Sequence, residues 1–152
     1  MDAKQFERLF RPTIRVLFDW ERLHRLRPRT FEMVVAHIDD LQDWLTPWYL
    51  HDGQEGDFRE CRSPLRISDV AAKIAALSLH RQQEIRGLAT SMTNGASPIV
   101  IAAYRFESGT IILDGNHRLA AISLGRLSNS ILAVTLVAPR DTRMLPDLAN
   151  VE

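Results

Sequence analysis

Residues 111–118 read Ile-Ile-Leu-Asp-Gly-Asn-His-Arg, and they are the most informative part of the chain. Its apolar start is typical of a buried strand, its glycine of a turn, and the residues that continue to Leu124 of a helix. A strand, a turn and a helix start therefore bring several polar side chains to one point. The first N–H groups of a helix have no acceptor within the helix and lie at the positive end of its dipole, so this turn is predicted to bind an anion.

The flanking sequence predicts a mixed α and β domain. Residues 98–104 and 131–138 are apolar, β-branched runs typical of strands, and residues 106–109 are typical of a hairpin turn that leads into the strand before the glycine. Apolar residues at helical spacing predict a helix from about Arg81 to Met92, which ends at Asn94-Gly95.

The N-terminal sequence predicts two helices. Apolar residues spaced three and four apart from Phe6 to Phe18 indicate an amphipathic helix that restarts at Pro12, since proline suits a first helical turn. Thr30 is placed to cap a second helix, with an apolar side made by residues 31–45. Residues 46–63 show no sustained period and are predicted to be a loop.

These elements predict two parts, a helical extension over residues 1–60 and a core domain over residues 61–152. At the start of the core, residues 67–79 suit a helix capped by Ser68, whereas residues 65–67 also suit a short strand, and the helix is favoured. The tail after Pro139 shows little periodicity and is expected to be only partly ordered.

The charge balance bears on possible partners. The 152 residues carry 19 basic and 19 acidic side chains, and this neutrality argues against a protein whose main partner is the nucleic-acid backbone. By segment the charge is +4 over residues 1–31, −7 over residues 32–60 and +3 over the rest. The polarised N-terminal helices are therefore a possible docking surface for a protein partner, or a surface solvated on both sides.

Targeting signals and cysteine usage favour the cytoplasm. The single cysteine, Cys61, allows neither an internal disulfide nor a Cys-rich zinc site. The chain starts without an apolar signal-peptide core, and no apolar run approaches the roughly 18 residues of a membrane span. No membrane association is expected.

Several residue types occur in an order that resembles a known family, the N-terminal domain shared by ParB and sulfiredoxin. The similar residues are Ser91-Met92, Gly95, Pro98 to Ile101, Ile112 to Ala121 and Leu124-Gly125. The resemblance covers roughly residues 62–138. It implies an α+β fold with a small mixed sheet flanked by helices, to which the sequence adds an N-terminal helical hairpin. It also implies a nucleotide whose phosphates rest on residues 115–118.

Members of this family differ at the central box. Sulfiredoxins carry their catalytic cysteine directly before the His-Arg pair, where this chain has Asn116, so reduction of a sulfinic acid is not expected. Partition proteins typically have Gly-Glu-Arg-Arg and long basic regions that this chain lacks. The free-serine kinases, with Asp-Gly-His-His-Arg, are the most similar, since Asp114, Gly115, His117 and Arg118 match that box.

The box residues suit phosphoryl transfer, which needs charge neutralisation and alignment more than covalent work. Gly115, Asn116, His117 and Arg118 are expected to hold the nucleotide, the arginine as a planar donor for phosphate oxygens. His117 is also an acid or base near neutral pH. Asp114 is expected to orient an acceptor hydroxyl and take its proton, or to bind Mg²⁺; its alternative role is to cap the helix.

The kinases of this family also need a carboxylate upstream of the strand at residues 98–104. Glu84 is the leading candidate, because it lies in the predicted flanking helix, and Asp69 and Glu60 are the others. Arg81 and Arg86 are possible phosphate contacts. The aromatic residues Trp20, Trp44, Trp48 and Tyr49 are expected to serve in core packing and loop anchoring, or as an aromatic binding surface.

The sequence and the resemblance together predict a phosphoryl-transfer enzyme. Its substrates would be ATP or ADP with Mg²⁺ and a small hydroxylated metabolite, or the nucleotide would be hydrolysed. Two alternatives stand beside it. One is a non-catalytic module that is regulated by a nucleotide such as CTP or that binds a protein; the other is a ParB-like DNA-binding protein or nuclease.

Overall fold

The computed structural model describes residues 1–60, 63–92, 95 and 98–151. Predictions that concern Cys61 and Asn94 lie outside these residues. The described chain contains helices α1 (Ala3–Phe10), α2 (Trp20–Arg25), α3 (Ile67–Ala72), α4 (Leu79–Ser91) and α5 (Asn116–Gly125). Its strands are β1 (Arg29–Val35), β2 (Tyr49–His51), β3 (Gln54–Gly56), β4 (Ile99–Phe106), β5 (Gly109–Asp114) and β6 (Ile131–Val137). Three 3-10 helices span Ile38–Leu41, Ile74–Ala76 and Pro146–Asn150.

Four of the strands form one mixed sheet in the order β1-β6-β4-β5. The central pair, β4 and β6, is parallel, and both outer pairs are antiparallel. β4 and β5 form a hairpin, and α5 then carries the chain across the sheet to β6. The predicted α+β class and mixed sheet are confirmed. So are the predicted helix at Arg81 to Met92, the predicted strands that became β4, β5 and β6, and the helix after the glycine turn.

Both faces of the sheet are buried. Successive side chains of a strand point to opposite faces, and here each set joins a different apolar cluster. In β4, Tyr104 and Phe106 join one apolar cluster, while Ile101 and Ala103 join the other. A sheet that is covered on both sides produces continuous apolar strands rather than alternating ones. This is why residues 98–104 and 131–138 could be recognised from their composition.

Helix α5 packs between the sheet and helices α3 and α4. Its Leu119 and Ile122 are fully buried in the cluster on the sheet, and its small residues Ala120 and Ala121 are buried beside Ile85 of α4. The small side chains let α4 approach α5 closely. The start of α5 and one side of α4 therefore lie next to each other.

The predicted second helix over residues 31–45 is wrong. Residues 29–35 form β1, which pairs with β6 along its whole length. A 3-10 helix follows, and Leu45 then bridges to β5: its N–H donates to the Thr110 carbonyl at 2.8 Å, and its carbonyl accepts from Ile112 at 2.8 Å. The apparent helical spacing joined apolar residues from three different local conformations, and pairing with β6 overrides it.

The predicted helical hairpin is therefore absent, and the sheet takes strands from both sides of residue 60. The amphipathic helix expected at the N-terminus is confirmed only for α1, whose Phe6 and Phe10 are buried in the core. It does not restart at Pro12, since residues 12–19 contain no helix. The predicted loop at residues 46–63 contains the small β2–β3 hairpin.

The C-terminal tail is ordered, which corrects the expectation of partial order. Met144, Leu145 and Leu148 are fully buried in the same cluster as Phe6 and Tyr104. Asp141 accepts a hydrogen bond from Arg22 Nε at 2.7 Å. The tail shows no period because it covers the sheet as an irregular segment and a 3-10 helix.

No helix in the described part of the chain is both long enough and apolar enough to cross a membrane.

Candidate functional site

The turn between β5 and α5 requires glycine. Gly115 has φ of +98°, in the left-handed region, and a Cβ there would lie 2.5 Å from Cγ2 of Ile101. It is the residue that precedes the first turn of α5, and no side chain caps the helix. Asp114 is thus not a helix cap. Its carboxylate lies 3.5 Å from Nη2 of Arg118 instead.

An open cleft of about 650 Å³ lies over this turn. Its walls come from the β5–α5 turn, from α4, from the residues before β2 and from the segment between α1 and α2. The lining residues are Thr13, Arg15, Val16, Pro47, Trp48, His80, Arg81, Glu84 and Leu113 to His117. A shallower depression of about 600 Å³ on α1 and α2 contains none of the predicted site residues.

His117 is the point where the turn meets α4. Its Nε2 lies 3.1 Å from Oε2 of Glu84 and 3.1 Å from Nη1 of Arg81. A neutral imidazole has one protonated nitrogen and one bare nitrogen. If Nε2 carries the proton, it donates to Glu84; if Nε2 is bare, it accepts from Arg81. The same atom can therefore donate or accept a hydrogen bond with a partner already in place.

The surroundings of His117 favour its neutral form. Burial lowers the pKa of His117 below its ordinary value of 6.5, and the charges of Arg81 and His80 lower it further, against the opposing effect of Glu84. The ring also stands edge-on to Trp48, with 5.0 Å between the ring centroids. A neutral imidazole at neutral pH can accept a proton as a general base.

Arg81 is held in the cleft by two other groups. Its Nε donates to Oε1 of Glu55, in the β2–β3 hairpin. Its guanidinium lies over the Trp48 ring, 4.7 Å from the centroid, where cation–π attraction fixes the planar group. The hairpin thus orients a cation that also contacts His117.

Asn116 faces the protein more than the cleft. Its side chain is buried, its Nδ2 donates to the Ile112 carbonyl at 3.3 Å, and its Oδ1 accepts no hydrogen bond from the described residues. The side chain therefore fastens the helix start to the end of β5. What it offers a ligand is its backbone N–H, at the first position of α5.

The structure brings most of the predicted site residues together. Asp114, Gly115, Asn116, His117, Glu84 and Arg81 line the cleft, as does Trp48, and Arg118 lies beside Asp114.

Several other candidates lie elsewhere. Asp69 accepts from the Arg66 N–H at the start of α3, which is a structural role. Glu60 and Arg86 do not line the cleft. The side chains of Trp20, Trp44 and Tyr49 pack against apolar or polar groups away from the cleft.

Six lining residues were not predicted as part of the site: Thr13, Arg15, Val16, Pro47, His80 and Leu113. The position of His80 could have been predicted, since it lies one helical turn before Glu84 and so shares the same face of α4. The N-terminal residues had no such signal. They reach the cleft through the tertiary fold, from a segment with no regular structure.

The described residues contain no group of three or more His, Cys, Asp or Glu side chains that would hold a metal ion by itself. The one carboxylate at the turn, Asp114, is 21% exposed. Mg²⁺ often takes only one or two protein carboxylates and completes its shell with phosphate oxygens and water. Asp114 fits that kind of site.

The chain matches no family model, no curated protein and no solved structure. The chemistry of the cleft therefore follows from its own residues. These are an uncapped helix start, two lining arginines with Arg118 beside Asp114, two carboxylates, and an imidazole that contacts both Glu84 and Arg81.

Proposed function

We propose that this chain is a nucleotide-binding protein of the ParB and sulfiredoxin type that transfers a phosphoryl group from ATP or ADP to a small hydroxylated metabolite, or hydrolyses the nucleotide. The observation that carries the proposal is the meeting of Asp114, His117 and Glu84 in one cleft at the uncapped start of α5. Acid–base groups and an anion-binding helix start then act on the same ligand.

The helix start would hold the phosphates. The backbone N–H groups of Asn116, His117 and Arg118 occupy the first turn of α5, where the helix itself provides no acceptors. Gly115 lets the backbone approach a ligand because no Cβ intervenes. The ion pair of Arg118 with Asp114 is long and partly exposed, so turning the guanidinium to a phosphate oxygen costs little.

The acidic side chains would position and activate the acceptor. Asp114 orients the attacking hydroxyl or water and accepts its proton. Glu84 holds His117 in place, and the neutral imidazole takes a proton at its bare ring nitrogen and returns it from the imidazolium that forms. In its alternative role Asp114 would hold Mg²⁺, which would supply positive charge to the phosphate oxygens.

Nucleotide binding is the first expectation to test. Thermal unfolding is followed with ATP, ADP and CTP in turn, each with and without Mg²⁺. A ligand at 100 times its dissociation constant stabilises the folded state by about 2.7 kcal/mol, which moves the midpoint by several degrees. If none of the three nucleotides moves it, the proposal fails.

The variant Asp114→Asn separates an enzyme from a binding module. Turnover is followed by phosphorus NMR, which detects both hydrolysis and transfer to added hydroxylated metabolites. Loss of a general base costs roughly 100-fold or more in rate, while the amide still leaves the helix start free to bind phosphate. We expect lost turnover with a retained nucleotide-induced thermal shift.

Asp40→Asn is the matched control, because Asp40 is exposed and lies away from the cleft. It should keep wild-type turnover. Undiminished turnover in Asp114→Asn would remove the catalytic role of Asp114. A wild-type protein that binds nucleotide without turnover would instead be the non-catalytic module.

A further inference from the structure

The segment between α1 and α2 forms one wall of the cleft, through Thr13, Arg15 and Val16. Although irregular, it is fixed at both ends. Ile14 is buried in the core and its N–H donates to the Phe10 carbonyl at 2.8 Å. At the other end the Asp19 N–H donates to the Met144 carbonyl at 2.8 Å. The position of Arg15 is therefore set by the fold.

Arg15 differs from the other charged groups at the cleft in having no partner. Arg81 is paired with Glu55, Arg118 with Asp114, and Glu84 with His117. The Arg15 side chain makes no hydrogen bond or ion pair with any described residue, and it is exposed. It is thus the unneutralised cation among the described residues that line the cleft.

We infer that Arg15 is an anion-binding residue of this cleft and that its ligand is the oligophosphate chain of the nucleotide. This inference rests on the proposed function. Arginine offers a planar, permanently charged fork that suits phosphate oxygens. A ligand with several phosphate groups can contact the helix start and Arg15 together, whereas a single carboxylate satisfies only one of them. The N-terminal segment then belongs to the binding site.

The test uses inorganic tripolyphosphate, which carries the phosphates without base or sugar. Its affinity for the full-length protein is measured by isothermal titration calorimetry at low salt. In Arg15→Ala we expect a loss of about tenfold, corresponding to about 1.4 kcal/mol, from one charge-assisted contact. Arg15→Lys keeps the charge but not the fork, and should lie between the two.

Arg8→Ala is the matched control. Arg8 is an exposed arginine of α1 outside the cleft, so its removal changes the net charge equally. It should bind tripolyphosphate like the wild type. Equal affinity of Arg15→Ala and wild type would overturn the inference, and so would a wild type that does not bind tripolyphosphate.

A parallel titration with ATP, ADP and CTP separates this inference from the proposed function. Arg15-dependent binding of tripolyphosphate without binding of any nucleotide supports Arg15 as an anion-binding residue, and overturns both the nucleotide as its ligand and the proposed function. Nucleotide binding that is equal in wild type and Arg15→Ala leaves the function standing and removes Arg15 from the site. Because Arg15 is exposed and unpaired, an unchanged melting temperature is expected for its variants.

Discussion

At the scale of single residues, Gly115 accepts no side chain without strain. Its positive φ and its closeness to Ile101 both exclude a Cβ, and the same turn sets where Asp114 and His117 project. The sequence indicated a glycine turn here. It could not indicate the contact with Ile101, because that residue lies on the neighbouring strand β4.

Gly115→Ala should therefore destabilise the protein by two additive effects. The left-handed conformation costs a residue with Cβ about 1–2 kcal/mol, and the clash with Ile101 adds about 1–3 kcal/mol of overpacking. Gly53→Ala is the control, since Gly53 also has positive φ, +77°, but a Cβ there would meet no atom within 4 Å. Urea unfolding measures both variants. Equal losses would show that the contact with Ile101 costs nothing.

The role of Glu84 could be predicted only in part from the sequence. The helix of Glu84 was predicted from its apolar stripe, and the requirement for an upstream carboxylate came from the family resemblance. Of the three candidates Glu84, Asp69 and Glu60, the fold brings Glu84 to the cleft and leaves the other two outside it. Packing of α4 against α5 places Glu84 next to His117, while Asp69 is used at the start of its own helix.

At the scale of elements, β1 shows how tertiary pairing overrides local spacing. The same residues fit a helical stripe in sequence, yet they extend along β6 as an edge strand with Val34 exposed. Thr30, Val34 and Val35 are β-branched and favour a strand. The N-terminal part of the chain therefore completes the main sheet.

This dependence predicts that a fragment of residues 61–152 will not fold alone. It lacks β1, which would expose one edge of β6, and it lacks the buried side chains of Phe6, Phe10 and Leu23. Losing a large core side chain typically costs about 2–5 kcal/mol. The sum of several such losses exceeds the total free energy of unfolding of a typical domain. Circular dichroism during urea titration should show no cooperative transition for the fragment.

The full-length chain, measured in the same way, should unfold in one cooperative step. A fragment that also unfolds cooperatively would support a core domain that is independent of residues 1–60.

At the scale of the whole molecule, ion pairs between separate segments of the chain neutralise part of its charge. Arg22 pairs with Asp141 across almost the length of the chain, and Glu7 pairs with His24 at 2.6 Å. Part of the positive charge of the N-terminal segment is thus paired with carboxylates of the same chain. The cleft is lined by four separate parts of the sequence. The burial of His117 there makes the stability of the fold depend on pH.

The free energy of unfolding should fall as pH drops below about 6.5, in part through His117. The folded protein holds the pKa of His117 below 6.5, chiefly by burial, whereas the unfolded chain protonates it near that value. In this window the unfolded state binds more protons, so stability rises with pH. The variant His117→Gln should show a flatter dependence in urea unfolding between pH 8 and about 5.

His37→Gln is the control, because His37 is exposed, lies outside the cleft and is not among the groups that shift the pKa of His117. It should retain the slope of the wild type. A slope for His117→Gln identical to that of the wild type would contradict the argument from burial.

By itself, the sequence determined the strand, glycine turn and helix from β5 to α5, together with β4, β6 and α4. Their signals are local: continuous apolar runs, a glycine and a helical stripe. Only the tertiary structure decided that residues 29–35 form a strand, that the C-terminal tail is part of the core, and that Arg15 reaches the cleft. Those outcomes depend on pairing and burial between residues far apart in the chain. Such contacts do not change the spacing of apolar residues within either segment, so the sequence pattern does not reveal them.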